Sequence, residues 1–251
     1  MGGHSHWSQV KRQKGVADAK RGQIFTKLGR EIAVAARHGG ADPEANPRLR
    51  LAIQKARESN MPLDTIERAI KRASGQSGEA NELIEATYEG YGPGGVAILM
   101  TVLTDNRNRA VSEIRTAITR GGGSLGESGS VTWVFEGKGV IAVQAGEVDA
   151  EELALRAIDA GAEDVKVEDD RLEVYTVPES LERVRGALAE LGVTPESAEV
   201  AMIPKSTVPL SPKDAEAVLR LLDRLEDLDD VQHVYSNAEF PDQVLAEYAS
   251  R

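Results

Sequence analysis

A group of cations near the N-terminus is the first feature of the sequence that could do chemistry. Lys11, Arg12 and Lys14 follow Trp7 in a stretch that begins rich in glycine and serine and has no apolar periodicity, which predicts a mobile arm. Lysine and arginine neutralise phosphates, and an exposed indole stacks on nucleobases. The pattern therefore indicates nucleic-acid binding. Docking of Trp7 back onto a folded domain stays open, because tryptophan is highly buried on average.

A second group of cations lies in the segment 104–109, where a predicted strand meets a predicted helix. Asp105 or Asn106 can cap that helix. Arg107 and Arg109 stand at its positive end, where the dipole disfavours cations by a few tenths of a kcal/mol, roughly. This misfit suggests either a phosphate contact or acidic partners nearby. The predicted nucleic-acid-binding residues are His4, His6, Trp7, Lys11, Arg12, Lys14, Lys20, Arg21, Lys27, Arg30, Arg107 and Arg109.

The charge of the chain is strongly divided along the sequence. Residues 1–75 carry 15 Lys and Arg against 7 Asp and Glu, a net charge of +8. The remaining residues carry 15 against 34, which gives −19 and a total of −11. An acidic body is repelled by phosphate while a basic limb is attracted, so this division favours contact with nucleic acid through the N-terminal part. The alternative is that the basic helices pair with acidic domains of the same chain.

Catalytic and cofactor motifs are weak in this sequence. Residues 121–126 match G-x-G-x-x-G as a string, but a helix is predicted before them and a strand after them, the reverse of a dinucleotide site. They fit a helix end and a tight loop better. No phosphate-binding P-loop or nucleophile triad is recognisable. His4 and His6 alone make a poor metal site. We therefore expect no catalytic residue, no metal, no cofactor and no small-molecule substrate, and hence no enzyme.

Composition bears on the compartment and on membranes. The chain has no cysteine, which suits a reducing compartment. The longest apolar run, residues 95–102, is too short to span a bilayer, and the N-terminus lacks the apolar core of a secretory signal. These observations predict a cytoplasmic protein without a membrane partner.

The predicted elements divide into a helical part followed by two mixed parts. Helical periodicity covers residues 18–38, 47–59 and 64–74, after which the pattern changes to alternation. The later elements are strands 83–91 and 96–104, helix 107–120, strands 130–135 and 139–143, helix 150–160, strands 164–167 and 172–177, helix 178–191, strand 199–203, helix 211–228 and strand 231–235.

This order predicts an α+β, multidomain fold. A basic N-terminal arm and three-helix domain (1–78) precede two ferredoxin-like α/β sandwiches, one inserted in the other. The outer sandwich is discontinuous, comprising 79–136 plus 205–251, and the inserted βαββαβ sandwich is 137–204.

Long strings over nearly the whole chain resemble the YebC/PmpR family, which includes the mitochondrial translational activator of cytochrome oxidase. The similarity is carried by residues 3–7, 14–28, 60–62, 66–70, 88–96, 104–109, 122–126, 129–131 and 228–232. One departure is His6, where lysine is more usual, so a phosphate contact there would be weaker and dependent on pH.

The resemblance implies a three-domain protein without enzymatic activity. Family members are described either as DNA-binding transcriptional regulators or as ribosome-associated translation factors that relieve stalling at stretches such as consecutive prolines. In the second role the arm and basic helices would lie against ribosomal RNA.

The sequence helps to choose between these two roles. It shows no clear recognition helix for duplex DNA, and a glycine-rich arm with Trp7 suits irregular RNA better. We therefore expect a nucleic-acid-binding translation factor whose partner is the ribosome. Promoter DNA is the alternative target, and an acidic scaffold that binds only proteins is a third possibility.

Overall fold

The computed structural model describes residues 18–73, 83–146, 148–168 and 171–250. It confirms the predicted fold class, a mixed fold in which a helical region precedes antiparallel sheets. The described residues fall into two compact units. One unit runs to Val134 and resumes at Ser206, and the other is Phe135–Lys205. The finer three-domain division, with a boundary at residue 78, stays a prediction.

The elements of the described residues follow the predicted order closely. The helical region contains α1 (Asp18–Gly39), α2 (Pro47–Glu58) and α3 (Leu63–Ala73). The elements after it are β1 (Ile84–Tyr91), β2 (Ala97–Thr104), α4 (Arg107–Arg120), β3 (Ser124–Leu125), β4 (Phe135–Gln144), α5 (Ala150–Asp159), β5 (Ala162–Glu168), β6 (Arg171–Thr176), α6 (Leu181–Ala189), β7 (Ser197–Pro204), β8 (Val208–Pro209), α7 (Pro212–Glu226), β9 (Val231–Ser236), β10 (Ala238–Glu239) and α8 (Asp242–Ala249).

The three N-terminal helices share one apolar core. Leu28, Ile32 and Ala35, which recur at helical spacing along α1, are buried there together with Leu49 and Ile66. Burying one leucine or isoleucine side chain fully stabilises the fold by about 1.5–3 kcal/mol. The opposite face of α1 is therefore the one that remains for its cations.

Asn46 joins the end of α1 to the start of α2. Its side-chain oxygen accepts the amide of Leu49 at 3.1 Å, as expected of a helix cap, and its amide nitrogen donates to the carbonyls of Ala35 and Gly40, both at 2.8 Å. The Asn46 side chain packs closely against the end of α1, because a Cβ atom added at Gly39 would lie 2.6 Å from it. This buried side chain fixes the angle between the two helices.

The sheet of the first unit has the strand order β3-β1-β2-β9, with antiparallel neighbours. Helices α4 and α7 bury their apolar residues against it, in one core with Ile98 and Met100 of β2. The glycines after α4 serve the helix end and the tight loop that the sequence predicts. Gly121 caps α4, and Gly122 has φ +80°, a conformation that favours glycine.

The predicted strand over residues 130–135 is wrong. A short 3-10 turn occupies Thr132–Val134, and β4 begins at Phe135. The physical reason is Glu89, whose buried carboxylate accepts the backbone amides of Gly129, Val131 and Thr132 at 2.6, 2.7 and 2.9 Å. Donors used in this way cannot join a strand ladder. The neighbour of β1 is instead the two-residue strand β3.

The second unit is an antiparallel sheet with the strand order β5-β6-β4-β7. Together with α5 and α6 it has the βαββαβ order that the sequence predicts for a ferredoxin-like sandwich. Four elements of the first unit have no counterpart in the prediction: strand β3, the parallel pair of β8 and β10, and helix α8. The two-residue strands are too short to show alternation, and α8 spans only two turns.

Candidate nucleic-acid interface

Half of the twelve predicted binding residues lie outside the part of the chain that the structure describes. Lys20 and Arg21 fall within the first turn of α1, but nothing is described of their side chains. Lys27, Arg30, Arg107 and Arg109 are described in full. The predicted residues that lie outside the described ranges are His4, His6, Trp7, Lys11, Arg12 and Lys14.

Two of the described cations hold α1 against the end of α7. Lys27 donates from Nζ to the carbonyl of Glu226 at 2.5 Å, and Arg30 donates from Nη1 to the carbonyl of Asp229 at 2.5 Å. The carbonyls at and just beyond a helix C-terminus carry partial negative charge and lack partners within the helix. Cations from α1 satisfy them, so this contact fastens the basic helical region to the rest of the first unit.

Asp230 is the centre of the same contact. Its side chain is 4% exposed, and its Oδ1 accepts Arg30 Nη1 at 2.8 Å. Its Oδ2 accepts Arg109 Nη2 and the hydroxyl of Thr104, each at 2.8 Å. A buried carboxylate is tolerable only when it is paired and hydrogen-bonded, and Asp230 meets both conditions. We call Asp230, Arg30, Arg109 and Thr104 the Asp230 cluster.

The Asp230 cluster includes Thr104 and Arg109, and so accounts for the role of much of the segment 104–109. Asn106 caps α4 by accepting the amide of Arg109 at 3.1 Å. Arg109 binds Asp230 and also Asp105, at 2.7 Å. These two hydrogen bonds raise the pKa of the Arg109 guanidinium above its ordinary value. The acidic partners that the sequence left as one alternative are therefore present for Arg109, whereas Arg107 is exposed at the start of the helix.

The exposed cations of the helical region were not among the predicted site residues. Arg57 lies in the last turn of α2. Helix α3 presents Arg68, Lys71 and Arg72, whose three- and four-residue spacing puts them on one face of the helix. Arg68 forms an exposed ion pair with Asp64 at 3.0 Å, a contact of little energetic weight in water. The sequence pattern that could have identified these cations is the repetition of basic residues on the polar side of an amphipathic helix.

Two features of the described residues bear on metal and ligand binding: their acidic and histidine side chains, and one cavity. Among them no group of three or more His, Asp or Glu side chains could hold a metal ion. A cavity of about 170 Å³ lies between α7 and α8, but its ionisable groups are engaged: Tyr248 donates to Asp223 at 2.6 Å, and Arg220 pairs with Glu216 at 3.1 Å. Burial and the bond to Asp223 raise the pKa of Tyr248, which keeps it neutral.

Within the described ranges, no helix combines the length and the apolar character needed to cross a bilayer.

An N-terminal helical region followed by antiparallel sheets that pack against helices defines the class of protein, and comparison with known proteins gives the family. A model described as the TACO1/YebC protein N-terminal domain matches residues 5–76, and one described as the TACO1/YebC second and third domain matches residues 83–238. The chain belongs to the TACO1/YebC family, as the resemblance in its sequence implied.

The relatives are similar over their full length. A probable transcriptional regulatory protein from Dehalococcoides mccartyi is 55% identical over 251 residues, which is 100% of both chains. One with the same description from Rubrobacter xylanophilus is 53% identical, covering 99% of this chain and 100% of that protein. The crystal structure of a conserved hypothetical protein from Aquifex aeolicus has a TM-score of 0.81 at 50% identity, covering 90% of this chain and 93% of that chain.

Proposed function

We propose that this protein is a non-enzymatic, cytoplasmic regulator of gene expression that binds nucleic acid through its basic N-terminal part. The observation that carries the proposal is the charge division of +8 in residues 1–75 against −19 in the remainder. Phosphate is attracted by the first and repelled by the second, so the protein would approach a polyanion in one orientation.

The more specific proposal is a translation factor that associates with the ribosome and its RNA and relieves stalling, for example at runs of proline. Support comes from the glycine-rich basic arm with Trp7, a combination suited to irregular RNA. It also comes from α1, whose apolar face is buried and whose Lys27 and Arg30 are bound within the first unit. Held on both sides, α1 is not available to lie in a major groove.

The Asp230 cluster reduces the number of cations that are available for the proposed contact with phosphate. Arg30 and Arg109 are paired there, and Lys27 is bound to the end of α7, so each would have to leave an existing partner to contact phosphate. The proposed contacts therefore fall to the cations of the arm, to Lys20 and Arg21, and to exposed side chains such as those of Arg57 and Arg72.

A DNA-binding transcriptional regulator is the second candidate, and it is favoured by two observations. Relatives at about 55% identity carry the description of probable transcriptional regulatory protein. In addition, four residues join α2 to α3, and α3 has an exposed basic face, a spacing that also occurs in helix-turn-helix DNA-binding proteins.

Competition between the two targets tests the proposal. Full-length protein is mixed with ribosomes and increasing amounts of promoter-length DNA duplex at physiological salt, and the protein that sediments with ribosomes is measured. A translation factor stays with the ribosomes when the duplex is in excess, while a duplex-specific regulator moves to the supernatant. Protein that binds neither target would contradict both candidates and leave a protein-binding scaffold.

A further inference from the structure

Trp133 is exposed although tryptophan usually is not. Trp133 is 69% exposed. Among the described residues between 85 and 154, Tyr91 is the one other exposed large hydrophobic residue, and it is 39% exposed. Tryptophan is highly buried on average, so an indole that a fold holds in water calls for an explanation. Its neighbours Val131 and Val134 are buried, which anchors the turn and leaves the indole outside.

Tyr91 and Trp133 converge on a single atom. The Tyr91 hydroxyl and the Trp133 indole Nε1 each donate to the carbonyl oxygen of Ser130 at 3.0 Å. Both polar atoms are thereby used internally, and both aromatic rings are brought to the same place. We call these two side chains the aromatic pair.

The loop that carries Trp133 is tied to β1. Glu89 lies two residues before Tyr91 and so on the same face of the strand, and its carboxylate accepts the amides of Gly129, Val131 and Thr132. Burial works to raise the pKa of Glu89, but these three donors outweigh it and leave the pKa below its ordinary value, so the loop is held at neutral pH. Ordering the aromatic pair on binding therefore costs little entropy.

We propose that the aromatic pair is a stacking platform for an unpaired base of single-stranded RNA, with Trp133 as the principal contact. This inference rests on the proposed function as a nucleic-acid-binding protein. A rigid exposed aromatic face in which the polar atom is already satisfied is suited to stacking on any base. The phosphate charge is neutralised elsewhere, by the basic N-terminal part.

The surroundings of the aromatic pair favour a base over an apolar protein surface. Ser124, which pairs with Tyr91, and the residues Glu127, Ser128 and Gly129, which precede Trp133 in its loop, are exposed and are small or polar. Anchors at protein interfaces are normally enclosed by further contacts that exclude water, and no exposed aliphatic side chain of this part of the described chain supplies them. A base needs only the face of a ring.

Fluorescence of Trp133 tests the inference directly. The chain has two tryptophans, so in full-length Trp7→Phe protein Trp133 is the sole indole. This variant is titrated with oligouridylate and, separately, with heparin, a polyanion without bases. Binding of dye-labelled oligouridylate is measured independently by anisotropy. We expect oligouridylate to quench Trp133 and heparin to leave it unchanged, because stacking requires a base.

Substitutions give the second readout. Trp133→Ala is expected to weaken oligouridylate binding about tenfold, within the range known for loss of one base stack, whereas Trp133→Phe keeps an aromatic face and most of the affinity. Leu155→Ala removes an exposed large hydrophobic side chain of the second unit and serves as the control with unchanged affinity. Far-UV circular dichroism confirms that each variant is folded.

The outcomes separate this inference from the proposed function. RNA binding with silent Trp133 fluorescence and equal affinity of Trp133→Ala would overturn the platform and leave the proposed function standing. Absence of RNA binding in the parent would overturn both the platform and the proposed ribosome-associated role. Quenching by an unstructured protein segment, such as a proline-rich peptide, without quenching by RNA would replace the base with a protein partner and overturn the inference.

Discussion

Substitution of Asp230 by asparagine perturbs the contact that fastens the helical region to the first unit. Asparagine has nearly the same shape but no charge, and its amide nitrogen cannot accept a hydrogen bond. In the parent protein, the two carboxylate oxygens of Asp230 accept hydrogen bonds from Arg30, Arg109 and Thr104. In the variant, one of these oxygens is lost as an acceptor and both guanidinium groups lose their shared counter-charge.

The expected cost follows from the burial of the cluster. Removing one partner of a buried ion pair costs about 3–5 kcal/mol. The carboxylate is 4% exposed, but the side chains of Arg30 and Arg109 are 22% and 43% exposed, and water stabilises them in part once the carboxylate is gone. We therefore expect Asp230→Asn to lower the free energy of unfolding of the first unit by about 2–3 kcal/mol.

Urea denaturation followed by circular dichroism measures the change, with Asp229→Asn as a matched control. Asp229 is the exposed neighbour, and its contribution to the contact is a backbone carbonyl that the substitution keeps. The control should stay within about 0.5 kcal/mol of the parent. Equal stabilities of the two variants would refute the claim that the Asp230 cluster carries the contact.

Two further substitutions test other buried polar contacts. Asn46→Ala removes a helix cap and two donated hydrogen bonds, and should lower the free energy of unfolding by about 2 kcal/mol in urea denaturation. Glu89→Gln removes the charge that three amides bind and should cost about 2–4 kcal/mol in the same assay. Because the pKa of Glu89 is lowered, its stabilisation is complete above the ordinary glutamate pKa, about 4.3, and is lost as pH falls through the lowered value. In Trp7→Phe protein, the fluorescence anisotropy of Trp133 should therefore fall in that acidic range and stay constant near neutrality.

Matched controls exist for both substitutions. Asn108→Ala changes an exposed asparagine of α4, and Glu85→Gln changes a glutamate of β1 whose side chain is 43% exposed. Each should alter stability by less than about 1 kcal/mol. If a control lowered the free energy of unfolding as much as its matched variant, the buried contacts would not be the cause of the loss of stability.

Much of the fold could be predicted because its signals are local. Leu28, Ile32 and Ala35 are spaced as a helix requires, and Asn46 before Pro47 indicates a cap, so α1 and α2 appear within a residue or two of the predicted bounds. The error at residues 130–135 has a different origin. The backbone amides there donate to Glu89, some forty residues earlier in the chain. The local alternation of apolar and polar residues cannot reveal such a distant partner.

The site was harder to predict for the same reason. The phosphate contacts of Arg30 and Arg109 stay predictions, but the sequence could not reveal their partner Asp230, which lies 200 and 121 residues away. Arg68, Lys71 and Arg72 were recognisable as the outward face of α3, but nothing in the sequence said which basic faces the fold would leave exposed. Pairing within the chain is a tertiary property, and here it decides which cations remain for a ligand.

The salt dependence of RNA binding tests the central claim most directly. Charge reversal of Lys11, Arg12 and Lys14 to glutamate is compared with the same reversal at three exposed cations of the acidic part, Lys205, Lys213 and Arg224, which changes the net charge equally. If the arm binds phosphate, the slope of log K against log salt for single-stranded RNA becomes shallower by roughly 2 in the first variant and stays unchanged in the second. Equal slopes for both variants and the parent would contradict the account.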